Sequence, residues 1–267
     1  MKKIFFCFFA SSLFIIASCS NDSDHQNNNS ILPKTITSRD SDNISQDITT
    51  INYDGNKIVN LLAKSLKIDY SYEGDKIVTQ RRYYLNGEKK SKYYEATYSY
   101  ANDKLHKVSL SDHGREKEYV YTYNNDGTIK KQTYELGNKI SLDKNGEEIF
   151  FVVDGNIVKS EYNWGGDQSD IVTTCIYEYD LKNNVFKNIT GLNLLLDQAD
   201  FLSEINIFSG NNVIRHKVST IQGPLSNIQF EFYSNKMKYE YNKKGYPTKK
   251  ITYDYTGRII NIIEYTY

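Results

Sequence analysis

One stretch of the sequence carries side chains suited to recognising a ligand. Asn163-Trp164-Gly165-Gly166-Asp167-Gln168-Ser169-Asp170 sets the single tryptophan of the chain among amides, carboxylates and two glycines. An indole stacks on the apolar face of a sugar ring while nearby carboxylates accept its hydroxyls, and loops carry such work more often than strands do. Trp164, Asp167 and Asp170 are therefore the candidate ligand-binding residues. The same stretch has a structural reading, in which the indole folds back over the end of a β fold. Elsewhere the reactive groups form no constellation. His25, His106, His113 and His216 are scattered without metal-ligand spacing and read as solvated. Asp112-His113-Gly114 reads as a turn. Cys175, in the strand-like Thr173-Thr174-Cys175-Ile176-Tyr177, reads as a small buried hydrophobe. No Gly-x-Ser-x-Gly, phosphate-binding glycine loop or Cys–His arrangement occurs, and the many carboxylates single out no glycosidase-type pair. No catalytic residue, metal or cofactor is assigned, and the chain reads as a non-enzyme.

The amino terminus gives an address. Lys2 and Lys3 precede an apolar run from Ile4 to Ile16, and Ile16-Ala17-Ser18-Cys19 follows. This resembles a bacterial lipobox, which implies cleavage before Cys19 and acylation of its thiol. The apolar run is short of the ~20 residues that a spanning helix needs. With Cys7 in the leader and Cys19 lipidated, Cys175 is the one remaining thiol, so no internal disulfide forms. Residues 1–18 are read as the signal peptide, and 19–48, rich in Ser, Asn and Asp, as a disordered tether. Asp22 and Asp24 partly match the acidic signal for surface export in Bacteroidetes-type lipoproteins, leaving both the periplasmic side and the cell surface open.

The elements that must position any site are strands. The chain has 267 residues, of which 39% are hydrophobic and 24 are tyrosine, so large amphipathic rings stand in for aliphatics. Its formal charge is zero and no basic run stands out, which argues against nucleic acid. Without Lys2 and Lys3, 31 basic residues face 33 acidic ones, about −2. From Ile51 onward a unit recurs: an aromatic pair, a turn of about four residues with Gly, Asn or Asp, then an aliphatic pair. Tyr70-Ser71-Tyr72 leads through Gly74 to Ile77-Val78, Tyr98-Ser99-Tyr100 through Asn102 to Leu105, and Tyr177-Glu178-Tyr179 through Asn183 and Asn184 to Val185. Ile207-Phe208 leads through Gly210 to Val213-Ile214, and Tyr239/Tyr241, Tyr253/Tyr255 and Tyr265/Tyr267 repeat the pair near the end. Residues two apart share a strand face, and the turn residues supply the positive φ that hairpins require. Asn86-Gly87 and Asn145-Gly146 mark further turns. The pattern predicts an all-β fold over 49–267, a large antiparallel meander forming a soluble barrel or strongly curved sheet. Leu192, Leu195, Leu196, Ala199 and Leu202 share one helical face, which predicts a short helical insertion near 192–202, packed on the sheet or plugging one end.

Residues 177–188, 211–213 and 239–249 resemble a Bacteroidetes lipoprotein family of unknown function with a porin-like β fold. The units also resemble the tyrosine-aspartate repeats of Rhs-type proteins, as in Tyr253-Asp254-Tyr255-Thr256-Gly257-Arg258-Ile259, although the spacing here is irregular. The resemblance implies a porin-like barrel at the outer membrane and brings no catalytic residues. Ile263-x-Tyr265-x-Tyr267 is similar to the terminal assembly signal of membrane barrels. Glu178, Glu240 and Asp254 between the tyrosines oppose a lipid-facing wall. The expectation is a water-soluble barrel with an inward layer of Tyr, Ile and Val, tethered to the outer membrane through Cys19. It binds carbohydrate, another nutrient or a protein partner, or has a structural role; the alternative is a carrier of a lipid or other hydrophobic ligand inside a small barrel.

Overall fold

The computed structural model describes residues 30–41, 46–136, 142–163, 171–199, 209–222 and 229–267. Sixteen strands follow one another: β1 (Thr35–Asp40), β2 (Gln46–Asp54), β3 (Lys57–Leu62), β4 (Leu66–Glu73), β5 (Lys76–Asn86), β6 (Lys89–Ala101), β7 (Lys104–Asp112) and β8 (Arg115–Tyr123). The second half is β9 (Ile129–Leu136), β10 (Leu142–Val153), β11 (Asn156–Asn163), β12 (Ile171–Tyr179), β13 (Val213–Gln222), β14 (Gln229–Tyr241), β15 (Pro247–Tyr253) and β16 (Ile259–Thr266). Each pairs antiparallel with its sequence neighbours, and β1 pairs with β16 to close a barrel. Closure leaves the sheet without a free edge.

The tyrosine unit has a fixed place in this barrel. Strands β2, β4, β6, β8, β12, β14 and β16 all run toward one end and finish there in tyrosine, paired as Tyr-x-Tyr in all but β2. Tyr70, Tyr98, Tyr121, Tyr177 and Tyr265 are buried inward with Ile58, Ile77, Leu105 and Ile157. In five of these strands the last tyrosine stands at a repeated joint. In β2/β3, β4/β5, β6/β7, β12/β13 and β14/β15 the register shifts immediately before the last tyrosine, leaving Val59, Val78, His106, Ile214 and Thr248 as the extra residue of a bulge. The aliphatic pair of the repeat therefore splits: its first member enters the core and its second makes the bulge, which bends the wall. Hydroxyls lock these joints. Tyr100 donates to the Ile77 carbonyl at 2.7 Å, Tyr179 to Ile157 at 2.6 Å, Tyr239 to Val213 at 2.9 Å and Tyr267 to Pro247 at 2.6 Å. Burial pushes the Tyr72 phenol up to about 12, so it stays protonated at neutral pH. Tight turns follow, with positive φ at Asn102 and Asp103 and at Asp154 and Gly155, as two-residue hairpins require.

The outer wall carries ion pairs around the barrel. Arg39–Glu264 (2.9 Å), Arg81–Glu95 (2.5 Å), Lys107–Glu118 (2.5 Å), Lys159–Glu161 (2.6 Å) and Arg215–Glu178 (3.3 Å) lie on strand faces opposite the core residues. Glu178 and Glu240 point outward as expected, whereas Asp254 sits in the β15–β16 turn and accepts from Thr256 and Arg258.

Several expectations are corrected. The wall begins at Thr35, inside the stretch read as disordered tether. Thr-Ile-Thr alternates well enough to bury Ile36 and pair it with Tyr265 and Thr49. Asn145-Gly146 is no turn but a bulge within β10. Tyr162 of β11 lies over Gly146, where a Cβ would overlap its ring and hydroxyl. Tyr253 and Tyr255 leave the core pattern because β15 runs to the opposite end: Tyr253 pairs with outward Lys236, and Tyr255 is exposed. His216 is buried, stacked on Tyr177 with ring centroids 4.7 Å apart, in place of the solvated position expected.

Replacing Tyr179 by Phe leaves the buried Ile157 carbonyl without its phenol donor. The expected loss of unfolding free energy is about 1 kcal/mol in urea titration, while Tyr255→Phe changes it by less than about 0.5 kcal/mol.

Candidate functional site

In the connection between β12 and β13, residues 180–199 and 209–212 turn into the barrel and plug the end where the tyrosines lie. Here the sequence pattern predicts hairpin turns after Tyr179 and before Val213. Instead, Asp180–Asn184 and Ser209–Asn212 are the two legs of one plug. Asp180 accepts from the Asn212 backbone at 3.1 Å and from the Tyr241 hydroxyl, and the Asn184 amide donates to the Gly210 carbonyl at 3.0 Å. Backbone and side-chain groups of the rim hold the plug from several sides. The Thr190 amide donates to Asn56 at 3.0 Å, its carbonyl accepts from the Tyr72 hydroxyl at 3.1 Å, and the Gly210 amide donates to Asn156 at 3.0 Å. Gly191, at φ 76°, passes so close to the β4–β5 turn that a Cβ would stand 2.5 Å from the Asp75 carbonyl oxygen. The expected helical segment is two 3-10 turns, Leu192–Leu194 and Leu196–Gln198, which send Leu192 and Leu195 into the core; Leu202 lies outside the described residues.

At the tip of the plug is a buried charge cluster. Lys131 of β9 faces Glu148 of β10 across the ladder and lies 2.6 Å from both Glu148 and Asp197 of the plug. Asp197 also accepts from the Tyr121 hydroxyl at 2.7 Å and from Gln198 at 2.9 Å. Burial alone would lower the Lys131 ammonium, but Asp197 and Glu148 outweigh it and hold the group above its ordinary value. The rings of Phe150 and Tyr119 flank the same ammonium at 5.2 and 5.4 Å.

Toward the opposite end the inward side chains are polar and partly reached by solvent. Lys117 and Glu135 form an ion pair on the inner face, with 35% and 37% of their side chains accessible. Tyr119 and Tyr162 lie in the electrostatic reach of this pair and of Lys131, and burial raises both phenols. Across the lumen Arg82 lies 4.3 Å from the Tyr94 ring centroid, Ser38 donates to Asn261 at 3.2 Å, and the Thr173 and Thr220 hydroxyls meet at 3.0 Å. The wall thus offers aromatic faces beside donors and acceptors. At the plugged end a separate groove of about 750 Å³ runs between plug and rim, floored by Ile129, Val152, Ile157, Leu194 and Leu196.

The candidate residues named from sequence lie outside this description. Cys19, His25, Trp164, Asp167 and Asp170 are not among the described residues. The stretch 164–170 joins β11 to β12 at the end away from the plug, and the inward Tyr162 and Thr173 stand just below its two attachment points. Cys175 is on the inner face opposite Ser160, and burial raises its thiol. Lys117, Lys131, Glu135 and Glu148 were missed, although a signal existed: Ile129, Lys131 and Thr133 share the parity that turns Tyr119 and Tyr121 inward. Among the described residues no cluster of three metal-ligating side chains occurs, and none of their helices is long and apolar enough to cross a membrane.

Comparison by sequence finds no matching family model and no matching curated protein. By structure the chain is similar to a porin-like protein from Bacteroides vulgatus ATCC 8482, with a TM-score of 0.52 at 12% identity over 89% of this chain and 99% of that one. A porin-like protein from Bacteroides uniformis ATCC 8492 aligns with a TM-score of 0.45 at 10% identity, over 88% and 97% of the two chains. The first likeness establishes a porin-like β-barrel fold.

Two outcomes follow from the buried groups. Lys131→Met strands Glu148 and Asp197 in the lumen, and the expected destabilisation is about 3–5 kcal/mol by denaturant titration, with proteolysis within 180–212 rising in parallel. Burial lowers His216 to about 4 from 6.5, so the unfolded chain binds the extra proton between those values. That term of stability is full above pH 6.5 and is lost as pH falls toward 4, about 2 kcal/mol by pH 5. His216→Phe, which keeps the stack on Tyr177, is expected to remove that share of the pH dependence.

Proposed function

We propose that this chain is a lipid-anchored outer-membrane protein that binds a small polar ligand, a carbohydrate, in the solvent-reached half of a plugged barrel. The observation that carries the reading is the inversion of polarity across the wall. Charged pairs such as Arg81–Glu95 and Lys107–Glu118 occupy the outer face, where a membrane-embedded barrel needs an apolar band ~25 Å tall. The plug argues against conduction through the lumen. A barrel that faces water on its outside needs a separate tether, and the lipobox-like Ile16-Ala17-Ser18-Cys19 supplies one through Cys19. The porin-like fold agrees with an outer-membrane setting.

The polar half of the lumen combines the features that hold a sugar. Tyr94, Tyr119 and Tyr162 offer ring faces, while Lys117, Glu135 and Thr173 offer donors and acceptors that solvent already reaches. Trp164, Asp167 and Asp170 belong to the connection above Tyr162 and Thr173, and in this reading they complete the site from the rim. No proton shuttle or nucleophile is needed, and the protein acts by binding. A second reading, carriage of a hydrophobic ligand, is favoured by the groove beside Leu194 and Leu196 with its apolar floor.

Intact-mass analysis of the membrane-extracted protein tests the anchor, with an acylated Cys19 as the expected first residue. A glycan array followed by calorimetry tests the site. Binding of at least one oligosaccharide class is expected, weakened at least about tenfold by Tyr162→Ala or Trp164→Ala. Absence of any glycan ligand, together with displacement of a fluorescent fatty acid that Leu196→Asp abolishes, would move the conclusion to the second reading.

A further inference from the structure

The plugged end carries a second surface feature. Leu181, at the first bend of the plug, is 97% exposed, the extreme among the described large hydrophobics. Four exposed lysines lie on the same bend and on the turn bonded to it: Lys182 and Lys187 on the plug, Lys243 and Lys244 on the β14–β15 turn. Asn183 draws the two elements together. Its amide donates to the Gly245 carbonyl at 3.1 Å, its side chain donates to the Lys244 carbonyl at 3.3 Å, and it accepts from the Lys187 ammonium at 3.2 Å. None of the four lysines has an ion-pair partner among the described residues. Asp180, the nearest carboxylate in sequence, is turned to Asn212 and Tyr241. The acidic turn residues Asp75, Asp103, Asp126 and Asp154 lie on the β4–β11 side of the rim, and the first two are engaged by Lys57 and Lys76. The rim is therefore basic on one side only.

The chain also enters the fold at this patch. Asn188 of the plug donates to the Ile31 carbonyl at 3.0 Å and to the Tyr246 hydroxyl at 2.9 Å, and Ser30 accepts from Asn56 at 2.8 Å. Only ten residues lie between Cys19 and Ser30, a reach of at most about 40 Å when fully extended. We infer that Leu181 and the four lysines are a membrane-contact patch, which seats the plugged end on an anionic lipid surface and turns the polar half of the lumen away from it. Each lysine near such a surface adds attraction to headgroup phosphates, and the leucine enters the acyl boundary that the tether already keeps close. The basic side of the rim leads, so the barrel leans toward β12–β15. This inference rests on the lipid-anchor reading.

The test uses the full lipidated chain in a Cys175→Ser background, carrying an environment-sensitive fluorophore at Leu181→Cys or, for comparison, at Lys89→Cys at the opposite end. The chain is reconstituted into phosphatidylcholine vesicles with or without phosphatidylglycerol. With phosphatidylglycerol the probe at 181 is expected to shift to the blue and lose at least about fivefold of its iodide quenching, while the probe at 89 stays in water. Combining Lys182→Glu, Lys187→Glu, Lys243→Glu and Lys244→Glu should abolish the shift while the chain still floats with the vesicles. A floating chain whose probe at 181 stays wet, or whose shift survives the four reversals, overturns the patch and leaves the anchor standing. A probe at 181 that responds to soluble polyglutamate but stays wet on vesicles assigns the patch to an acidic macromolecule instead. A chain that floats with neither vesicle overturns patch and anchor together.

Discussion

A closed barrel of sixteen strands encloses more space than the side chains of its own wall can fill. Eight strands leave a lumen that inward residues occupy; sixteen leave a channel. The sequence answers this by diverting residues 180–199 and 209–212 into one end, and much of the internal organisation follows from that diversion. The plug supplies Ile189, Leu192 and Leu195 to the core, where they meet Ile58, Ile77 and Leu105 from the wall. It is fixed in depth by Asp197 against Lys131 and Tyr121, and in rotation by Thr190, Gly191 and Asn188 against the rim. A buried lysine between two carboxylates adds little net stability over an apolar isostere, yet breaking it is costly, so its contribution is one of registry: it specifies where the plug stops.

The same geometry explains the composition. The apolar layer lies toward the plugged end and is shallow, as in β4 with Ile68 and Tyr70 or β16 with Ile263 and Tyr265. Tyrosine suits such a layer because its ring fills space while its hydroxyl reaches the backbone at the bulge beyond. On the outer face many cross-strand partners are charged, so the wall gains from ion pairs, each worth only a fraction of a kcal/mol when exposed, and stays compatible with water. The polarity of the molecule is thus reversed with respect to a barrel that lives in lipid, although the fold is porin-like.

Much of this is legible in the residues, because strand parity is local. The inward placement of Tyr70, Tyr98 and Tyr121, the turns at Asn86-Gly87 and Asp112-His113-Gly114, and a helical piece around Leu195 that plugs one end all follow from spacing of two or of three to four. What escapes the sequence depends on partners far along the chain. Thr35–Asp40 looks like more of a polar tether until Tyr265 and Thr49 flank Ile36. Asn145-Gly146 has the letters of a hairpin turn, but the need of Tyr162 for space over a glycine keeps it in the strand. Asp180–Val185 repeats the hairpin motif and yet opens the plug, because the interior it must fill is visible only once the barrel is closed. The charge cluster escapes for the same reason: Asp197 is 66 residues from Lys131.

The central claim is that the wall faces water outside while its lumen is stoppered at one end. Single cysteines at Thr97 and Ile176, both outward on the wall, report on it most directly when the lipidated chain is held in vesicles. Rapid modification at both sites by a charged, membrane-impermeant maleimide, without quenching by bromine-labelled acyl chains, is the predicted result. Protection from the maleimide together with quenching from within the bilayer would contradict the account.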